Sequence, residues 1–503
     1  MKTKLSVLIF FSLSILPSLL QAQFTQQGSK LVGTGNIGAS SQGFSVAVSG
    51  DGNTAIEGGF SDNSNAGAVW IFTRSGGVWS QQGPKLIGSG AIGNAYQGIS
   101  VAISGDGNTA IIGGYEDNGN VGAAWIFIRN GGVWSQQGAK LVGTGAVGSS
   151  FQGTSVSISA DGNTAIVGGS GDNGIGAVWV YTRTGGVWTQ QGAKLFGTGS
   201  VGQPQQGWAS VISADGNTII VGGYDDNGGA GAAWIFTRNG GTWTQQGSKL
   251  VGSGAAGNSF QGYRVSISSD GNTAAVGGFG DNNSTGAVWV FSRNANVWTQ
   301  QGPKLIGAGS NGAAGQGRSV AISPDGNSLV EGGWTDSSSL GAIWAFSRSG
   351  NVWTQLGVKL SGSGAAGVNT RQGISVSISN EGTVLEGGIG DNNVTGALWV
   401  FTDPTIGITP ISNEIPKDFS LSQNYPNPFN PNSKIKFQIA KLSTARLVIY
   451  DELGREVSTL VNERLNPGTY EVNFDGSNLA SGIYFYRLAA GDFIETKKML
   501  MVK

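Results

Sequence analysis

The stretch that decides the fold is "WTQQGAKLFGTG", at Trp188–Gly199. Near-copies recur along the chain, for example "WSQQGPKLIGSG" at Trp79–Gly90 and "WTQQGSKLVGSG" at Trp243–Gly254. The first copy, "FTQQGSKLVGTG", begins at Phe24, directly after a hydrophobic leader. The repetitive part of the chain therefore begins partway through its own repeat, and the fold has to explain that offset.

The repeat has a period of about 55 residues, which is typical of propellers and other arrays. Its "QQG" element starts at Gln26, Gln81, Gln136, Gln190, Gln245 and Gln300, and returns as "QLG" at Gln355. Each unit holds four strand-like runs, which in the second unit are Ile99–Ser104, Thr109–Gly114, Gly122–Arg129 and Val133–Gly143. Asp-Gly and Asn-Gly turns between such runs favour antiparallel hairpins. Seven units of four antiparallel strands predict an all-β, seven-bladed β-propeller over residues 24–402.

The offset predicts how the ring closes. The seventh unit supplies three strands within Ile374–Phe401 and then runs into "TDP". Its missing fourth strand is Phe24–Leu31, at the other end of the repeats. Placing that strand on the seventh sheet would leave no exposed sheet edge at the seam.

Composition excludes several classes of function. The chain has no Cys and no His, so serine–histidine and cysteine–histidine mechanisms are excluded. Its 29 basic and 30 acidic residues nearly balance, without the basic clusters of a nucleic-acid binder. We therefore predict neither a cofactor nor a nucleic-acid partner.

The first 22 residues resemble a secretory signal peptide. Lys2 and Lys4 precede the apolar run Leu5–Leu20, and "LLQAQ" offers a cleavage site after Ala22. An uncleaved membrane anchor is the alternative, which Pro17 and the short apolar run disfavour. No later run is long enough to predict a transmembrane segment, so we expect a protein that leaves the cytoplasm.

The units share the pattern "QGxSVxISxDGNTxIVGG…DN…GAxWVF", for example at Gln152–Tyr181. In this pattern they resemble FG-GAP repeats, the blade motif of integrin-type propellers. Calcium-binding members of that family carry several acids in the loop between strands one and two. Here that loop holds one acid per unit: Asp51, Asp106, Asp161, Asp215, Asp270, Asp325 and Glu381. One carboxylate cannot supply the six to eight oxygens that calcium prefers, so these Asp residues are predicted to form turns and no metal is predicted.

Ligand binding is expected where the units differ. The residues after "QG" and after "GG" vary most, and the hairpin geometry places both at one end of the sheets. The pairs are Phe44 with Phe60, Ile99 with Tyr115, Thr154 with Ser170, Trp208 with Tyr224, Tyr263 with Phe279, Arg318 with Trp334, and Ile374 with Ile389. Units four to six thus hold a predicted binding sector made of Trp208, Tyr224, Tyr263, Arg264, Phe279, Arg318 and Trp334. Aromatic planes with a few polar groups suit a glycan or protein ligand, although the same rings could instead pack inward.

Three acids break the pattern at another position. Glu57, Glu331 and Glu386 replace the usual Ile or Val before "GG", in units that would be adjacent in a closed ring. Together they could hold a cation or act as a general acid and base. Alternatively, Arg318 and Arg371 in the same hairpins could form ordinary ion pairs with Glu331 and Glu386.

The tail has a different composition. Residues 403–418 are predicted to be a Pro-punctuated linker, and residues 419–503 a small Ig-like sandwich. Four blocks of the tail, Asn424–Ile439, Val448–Val461, Gly468–Leu488 and Lys497–Lys503, follow one another in the order of a known module. With these blocks the tail resembles the type A C-terminal sorting domain of the type IX secretion system of Bacteroidota-like bacteria. The resemblance implies recognition by an outer-membrane translocon, removal of the tail, and release or attachment to surface lipopolysaccharide; an ordinary accessory module is the alternative.

Two classes of function follow. The first is a secreted or cell-surface, non-catalytic propeller that binds a glycan or a protein. The second is a polysaccharide hydrolase or lyase that uses carboxylates. The absence of His and the near-identity of the units favour the first.

Overall fold

The computed structural model describes residues 24–402 except 76, residues 408–412, and residues 416–502 except 466, 477 and 478. The predicted signal peptide lies outside these described residues. Strands dominate throughout, and only short helical turns interrupt them. The predicted all-β class is confirmed.

The described residues between 24 and 402 form seven four-stranded antiparallel sheets, numbered here in chain order. Sheets one to three comprise Ser45–Val48, Thr54–Gly59, Ala68–Ser75 and Val78–Gln81; Ser100–Ile103, Thr109–Gly114, Ala123–Asn130 and Val133–Gln136; and Gln152–Ile158, Thr164–Gly169, Ala177–Thr184 and Val187–Gln190. Sheets four and five comprise Ala209–Ile212, Thr218–Gly223, Ala232–Asn239 and Thr242–Gln245; and Arg264–Ile267, Thr273–Gly278, Ala287–Asn294 and Val297–Gln300. Sheets six and seven comprise Ser319–Ile322, Ser328–Gly333, Ala342–Ser349 and Val352–Gln355; and Gln372–Ile378, Thr383–Gly388, Ala397–Thr402 and Thr25–Gln26. Such repeated sheets are typical of a β-propeller.

A short turn links the second and third strands of every sheet. These turns are Asp62–Asn65, Asp117–Asn120, Asp172–Gly174, Asp226–Gly229, Asp281–Ser284, Asp336–Ser339 and Asp391–Val394. In the second sheet, Asn118, Gly119 and Asn120 have φ values of 54°, 65° and 71°. Asn and Gly tolerate this left-handed conformation better than other residues, which explains the Asn- and Gly-rich sequences of most of these turns.

The N-terminal segment is the fourth strand of sheet seven. Thr25 and Gln26 pair with Thr402 and Phe401 in antiparallel register. Farther along, Leu31 N donates to Leu398 O at 2.7 Å, and Leu398 N donates back at 3.0 Å. The inner strand of each sheet contacts that of the next, and Gln372–Ile378 of sheet seven contacts Ser45–Val48 of sheet one.

The first Trp series joins neighbouring sheets, as its presence in every unit predicts. Trp125 is fully buried and packs on Ile56, Val69 and Ile71 of the preceding sheet. Its Nε1 donates to Ser89 O at 2.8 Å. The equivalent fully buried residues are Trp70, Trp179, Trp234, Trp289, Trp344 and Trp399.

The second Trp series holds the outer strands together. Trp134 Nε1 donates to Gln82 Oε1 of the preceding outer strand at 2.9 Å, and Arg129 lies 5.5 Å from the centroid of the same ring. In sheet one, Trp79 Nε1 donates to Gln27 Oε1 at 3.0 Å. The N-terminal segment therefore offers sheet one the contact that each later sheet receives from its predecessor.

A Lys–Asp ion pair repeats in every sheet. The Asp begins the left-handed turn and is almost completely buried, and the Lys follows the outer strand. The pairs are Lys85–Asp62, Lys140–Asp117, Lys194–Asp172, Lys249–Asp226, Lys304–Asp281, Lys359–Asp336 and Lys30–Asp391. Lys30 again comes from the N-terminal segment, so the seventh pair spans 361 positions of the chain.

The Asp residues of the "DGN" turns bond their own backbone, as predicted. In the second sheet, Asp106 Oδ1 accepts from Asn108 N at 2.9 Å and from Ser104 Oγ at 2.5 Å. Burial is the largest single influence on the pKa of Asp106, and it raises that pKa. The hydrogen bonds act in the opposite direction, and the net result is a lowered pKa.

The tail has two four-stranded sheets around its own core. One runs in the order Ile408–Ser412, Gly468–Asp475, Asn432–Ile439 and Ser420–Leu421, and the other Glu456–Leu465, Ser443–Tyr450, Gly482–Ala490 and Phe493–Met501. Fully buried Phe437, Tyr486 and Met499 belong to the core between them. Ile408–Ser412 is therefore a strand paired with Gly468–Asp475, and this part of the predicted linker 403–418 is wrong. Short extended segments pair readily when a partner edge is available, which composition alone does not reveal.

Removing Lys30 tests the pairing of the N-terminal segment. Lys30→Met leaves the buried Asp391 carboxylate without its cation, so we expect a loss of about 2 kcal/mol in the free energy of unfolding. Lys194→Met, which breaks the same pair within sheet three, is the matched control and should cost a similar amount. Urea denaturation measures the free energy of unfolding of both variants. A loss of stability in Lys194→Met but not in Lys30→Met would contradict the pairing of the N-terminal segment with sheet seven.

Candidate functional site

The variable positions meet at one end of the sheets, around a cavity of about 630 Å³. Its wall includes residues of the first six sheets and of the loops between them: Phe44, Phe60, Ile99, Tyr115, Phe151, Thr154, Ser170, Gly171, Gly174, Gln203, Gln205, Trp208, Tyr263, Arg264 and Arg318. The positions meet because one follows "GG" at the end of the second strand and the other precedes the inner strand, so both lie opposite the "DGN" turn.

The predicted binding sector forms one continuous set of contacts. The ring centroids of Trp208 and Tyr224 lie 4.9 Å apart, and those of Tyr224 and Tyr263 lie 5.4 Å apart. Tyr263 and Phe279 meet edge to face at 4.6 Å. Such pairs contribute about 0.5–1.5 kcal/mol beyond the area they bury.

The two arginines of the sector lie on its rings. The guanidinium carbon of Arg318 is 4.7 Å from the centroid of Tyr263 and 5.3 Å from that of Trp334, and that of Arg264 is 5.2 Å from Tyr263. All seven predicted residues are thus brought together. Trp208, Tyr263, Arg264 and Arg318 line the cavity, whereas Tyr224, Phe279 and Trp334 contact these residues.

A third variable position was missed by the sequence reasoning. The residue before "QG" also changes from unit to unit, and it is Ser41, Tyr96, Phe151, Gln205, Phe260, Gly315 and Arg371 in turn. Phe151 and Gln205 line the cavity, and Phe260 stacks on Phe279 at 5.3 Å. The variability of this position could have been recognised in the sequence. Its positive φ, for example 53° at Phe151, could not, because that angle is a property of the folded backbone.

A second group of rings lies on sheets one and two and on the loop that leads to sheet three. This opposite arc consists of Phe44, Phe60, Tyr96, Tyr115 and Phe151. Its successive centroids are 4.7, 6.0, 5.4 and 6.0 Å apart. Since Phe44, Phe60, Tyr115 and Phe151 line the same cavity, the candidate site extends beyond the sector of units four to six.

Polar groups on the cavity wall lack partners among the described residues. Arg318 is 6% exposed, and its Nη1 has no hydrogen-bond acceptor. Trp208 Nε1 is also buried without an acceptor. Burial lowers the pKa of Arg318 to about 10, with Arg264 and Arg371 adding to the effect, so its guanidinium remains charged at neutral pH.

Two tyrosines near the cavity are held in the neutral form. Burial, followed by Glu116, raises the pKa of Tyr115. Burial also raises the pKa of Tyr224, whose hydroxyl donates to Gln205 Oε1 at 3.0 Å. These phenols are therefore hydrogen-bonding groups at neutral pH and bring no negative charge to the cavity.

The three acids are buried apart from one another. Glu57 pairs across its sheet with Trp70, Glu331 with Trp344, and Glu386 with Trp399. Cross-strand partners share a face, so each carboxyl faces the preceding sheet in a separate interface. None of them lines the cavity, and within the described residues no group of three or more acids could hold a metal ion.

The alternative ion pairs are wrong as well. No described Arg pairs with Glu331 or Glu386, because Arg318 and Arg371 turn toward the indole of Trp334 instead. Burial raises the pKa of Glu331 to about 8, although Gly317 N donates to its Oε2 at 2.6 Å. Burial also raises the pKa of Glu57 and Glu386, opposed only by the nearby backbone N–H groups of Gly33 and Gly362, and none of their four carboxyl oxygens makes a hydrogen bond of normal geometry to a described residue.

Comparison with known proteins identifies the tail. Residues 423–503 match the family model described as the secretion system C-terminal sorting domain. The predicted sorting domain is thereby confirmed, and it supports export through the type IX system to the outside of the cell. No helix among the described residues is long and apolar enough to cross a membrane.

The comparisons say less about the repeats. No curated protein sequence matches the chain. A periplasmic gluconolactonase, PpgL, of Pseudomonas aeruginosa is 15% identical, with 63% of this chain and 85% of that chain covered and a TM-score of 0.44. PorZ, a type IX secretion surface component of Porphyromonas gingivalis, is 12% identical, with 90% of this chain and 64% of that chain covered and a TM-score of 0.34. The propeller domain of the Pyrococcus furiosus trilobed protease is 9% identical, with 69% of this chain and 91% of that chain covered and a TM-score of 0.34. At these scores the similarities carry no argument about function.

The buried acids predict how stability depends on pH. A carboxyl whose pKa is raised by folding stabilises the folded state while it is protonated, and this contribution is lost as pH rises from 4.5 to about 8 for Glu331. Glu331→Val introduces the residue that occupies the equivalent positions Val221 and Val276. We expect its melting temperature to fall less than that of the wild type across this range. Glu381→Gln, at an exposed turn, is the control; an unchanged slope for Glu331→Val would contradict the assignment.

Proposed function

We propose that this chain is a secreted or cell-surface β-propeller that binds a ligand without catalysis in the cavity at the variable end of its sheets. The observation that carries the proposal is the cavity itself, which is about 630 Å³ and lined by rings from both aromatic groups. Binding pockets of about 300–1,000 Å³ with apolar walls and a few polar groups are typical of small-ligand sites.

The proposal includes a closed ring of seven sheets. Three contacts of the N-terminal segment support closure: its strand pairing with Ala397–Thr402, the ion pair Lys30–Asp391 and the bond from Trp79 to Gln27. Each repeats a contact found within the other units. We also propose that the units are FG-GAP-type repeats whose loops serve as turns rather than as calcium sites.

A glycan fits the cavity better than a protein side chain. Sugar rings stack on aromatic faces, and the half-buried rings of Phe60, Tyr115, Trp208 and Tyr263 offer such surfaces on both sides of one opening. A protein ligand would have to insert a loop or a terminus into the cavity, and it is the other outcome that a binding screen would report.

The polysaccharide hydrolase or lyase remains the weaker candidate. Glycoside hydrolysis by carboxylates uses two carboxyl groups separated by about 5–10 Å on either side of one bond. Glu57, Glu331 and Glu386 are instead buried in separate interfaces away from the cavity wall. Turnover of a polysaccharide that disappears in Glu57→Gln or Glu386→Gln would favour the enzyme.

Replacing rings of the predicted sector tests the binding site. We expect Trp208→Ala and Tyr263→Ala each to weaken glycan binding by about 30-fold, because central aromatic contacts contribute about 2 kcal/mol or more. Phe196→Ala removes a ring that is 51% exposed and does not line the cavity, so it is the matched control. A glycan array followed by calorimetric titration provides the measurement. Unchanged affinity in both cavity variants would place the site elsewhere.

Deleting the tail tests the export route. Because the sorting domain begins at residue 423, a chain ending at residue 415 should accumulate in the periplasm instead of at the surface. Cell fractionation and surface immunolabelling measure this, with Trp208→Ala in the full chain as an export-competent control. Surface delivery of the truncated chain would contradict the route. Attachment of the exported protein to lipopolysaccharide is part of the proposal, and a shift of the surface form on lipopolysaccharide gels would support it.

A further inference from the structure

We infer that the ligand is an acidic glycan, whose carboxylate or sulfate group is bound at the cavity wall by Arg318 and Arg264. This inference rests on the proposed function and deepens it, because it specifies the charge of the sugar. It depends on three arginines that lie together at one side of the cavity and form no ion pair with any acid that the structure describes.

Arg264, Arg318 and Arg371 form this cationic cluster. Arg264 and Arg318 both lie over Tyr263, and Arg318 and Arg371 both lie over Trp334, 5.3 and 5.1 Å from its centroid. Two of the three are also part of the cavity wall. Positive charge is therefore concentrated beside sheets five to seven, while the opposite arc contributes mainly rings.

These arginines differ from the other cations of the repeats. The seven repeated lysines each pair with a buried Asp, as in Lys140–Asp117. The six arginines of the third strands each donate to a turn Asn, as Arg129 Nε does to Asn108 Oδ1 at 2.9 Å. In contrast, the guanidiniums of Arg318 and Arg371 make no hydrogen bond to any described residue, and that of Arg264 bonds only the Tyr263 carbonyl, at 3.0 Å.

An unpaired cluster of this kind costs free energy unless an anion joins it. Like charges at short distance repel each other, and a buried guanidinium has lost most of its hydration. Cation–π contacts with Tyr263 and Trp334 offset only part of this cost. The carboxyl of Glu331, in the same hairpin as Arg318, cannot neutralise the cluster at pH 7, because burial keeps it largely protonated.

The rest of the cavity indicates that the anion belongs to a sugar. A free inorganic ion would need only the arginines, whereas the rings of Phe60, Phe151 and Trp208 line the remaining wall. A pyranose could stack on these rings while its carboxylate or sulfate accepts from the guanidinium of Arg318, which is part of the cavity wall. Guanidinium groups bind such planar or tetrahedral oxyanions strongly because two N–H groups can donate at once.

The experiment uses the purified full chain and an array of glycans in matched pairs. Each uronic-acid or sulfated oligosaccharide is paired with its carboxyl-reduced or desulfated form. We expect acidic members to bind at least about 30-fold more tightly than their neutral partners, in a salt-sensitive manner. The uronate and sulfate pairs show separately which anion is preferred.

Variants connect the charge preference to the cluster. Arg318→Gln and Arg264→Gln should each reduce affinity for the acidic glycan by about 30-fold and affinity for its neutral partner by a much smaller factor, so that the preference for the acidic form is lost. Arg293→Gln, which removes the same charge at the opposite end of sheet five, should have no effect. Because Arg264 is more exposed than Arg318, its variant is informative even if Arg318→Gln unfolds.

The outcomes separate the two proposals. Equal binding of acidic and neutral partners, abolished by Trp208→Ala, would overturn the acidic-ligand inference and leave glycan binding intact. Charge preference that survives both Arg variants would also overturn it. If the chain bound no glycan at all, or bound only a protein, both the proposed glycan binding and the acidic-ligand inference would be overturned.

Discussion

The fold depends on a close contact between an indole ring and a glycine. A Cβ added to Gly88 would lie 2.2 Å from Trp125 Cδ1, and one added to Gly33 would lie 2.1 Å from Trp70 Cδ1. Each fully buried Trp therefore requires a glycine in the outer segment of the preceding sheet. Since Gly33 belongs to the N-terminal segment, the contact between sheets seven and one obeys the same constraint as every other.

The polar contacts around this core repeat equally closely. A buried Asp, a Lys, a Gln and an Arg-stacked Trp occupy the same places in successive units, so their buried polar atoms are satisfied in the same way. The carboxyls of Glu57, Glu331 and Glu386 are exceptions, because they occupy positions that are apolar in other units and five of their six oxygens are buried without a hydrogen bond to a described residue. Stability is thus distributed over many similar interfaces, without disulfides.

This repetition explains where the candidate site lies. The Trp, Gly, Lys and Asp positions that every interface requires are the same in all units, whereas the three positions at the cavity end differ. They carry rings on both sides of the opening, and cations only beside sheets five to seven. The cavity therefore has an aromatic wall and a cationic wall although its scaffold is nearly symmetrical. A ligand that combines a ring with a negative charge matches that asymmetry.

The sequence by itself determined the strands, their number per unit, the place of Phe24–Leu31 and the identity of the tail, because these depend on local patterns that recur or match a known family. It also placed the residues of the predicted sector at one end of the sheets. Only the tertiary structure decided that Phe151 joins the cavity, that Arg318 and Arg371 turn to Trp334, and that the three acids are separated. The physical reason is that side-chain direction and burial depend on the neighbouring sheet, which no single repeat contains.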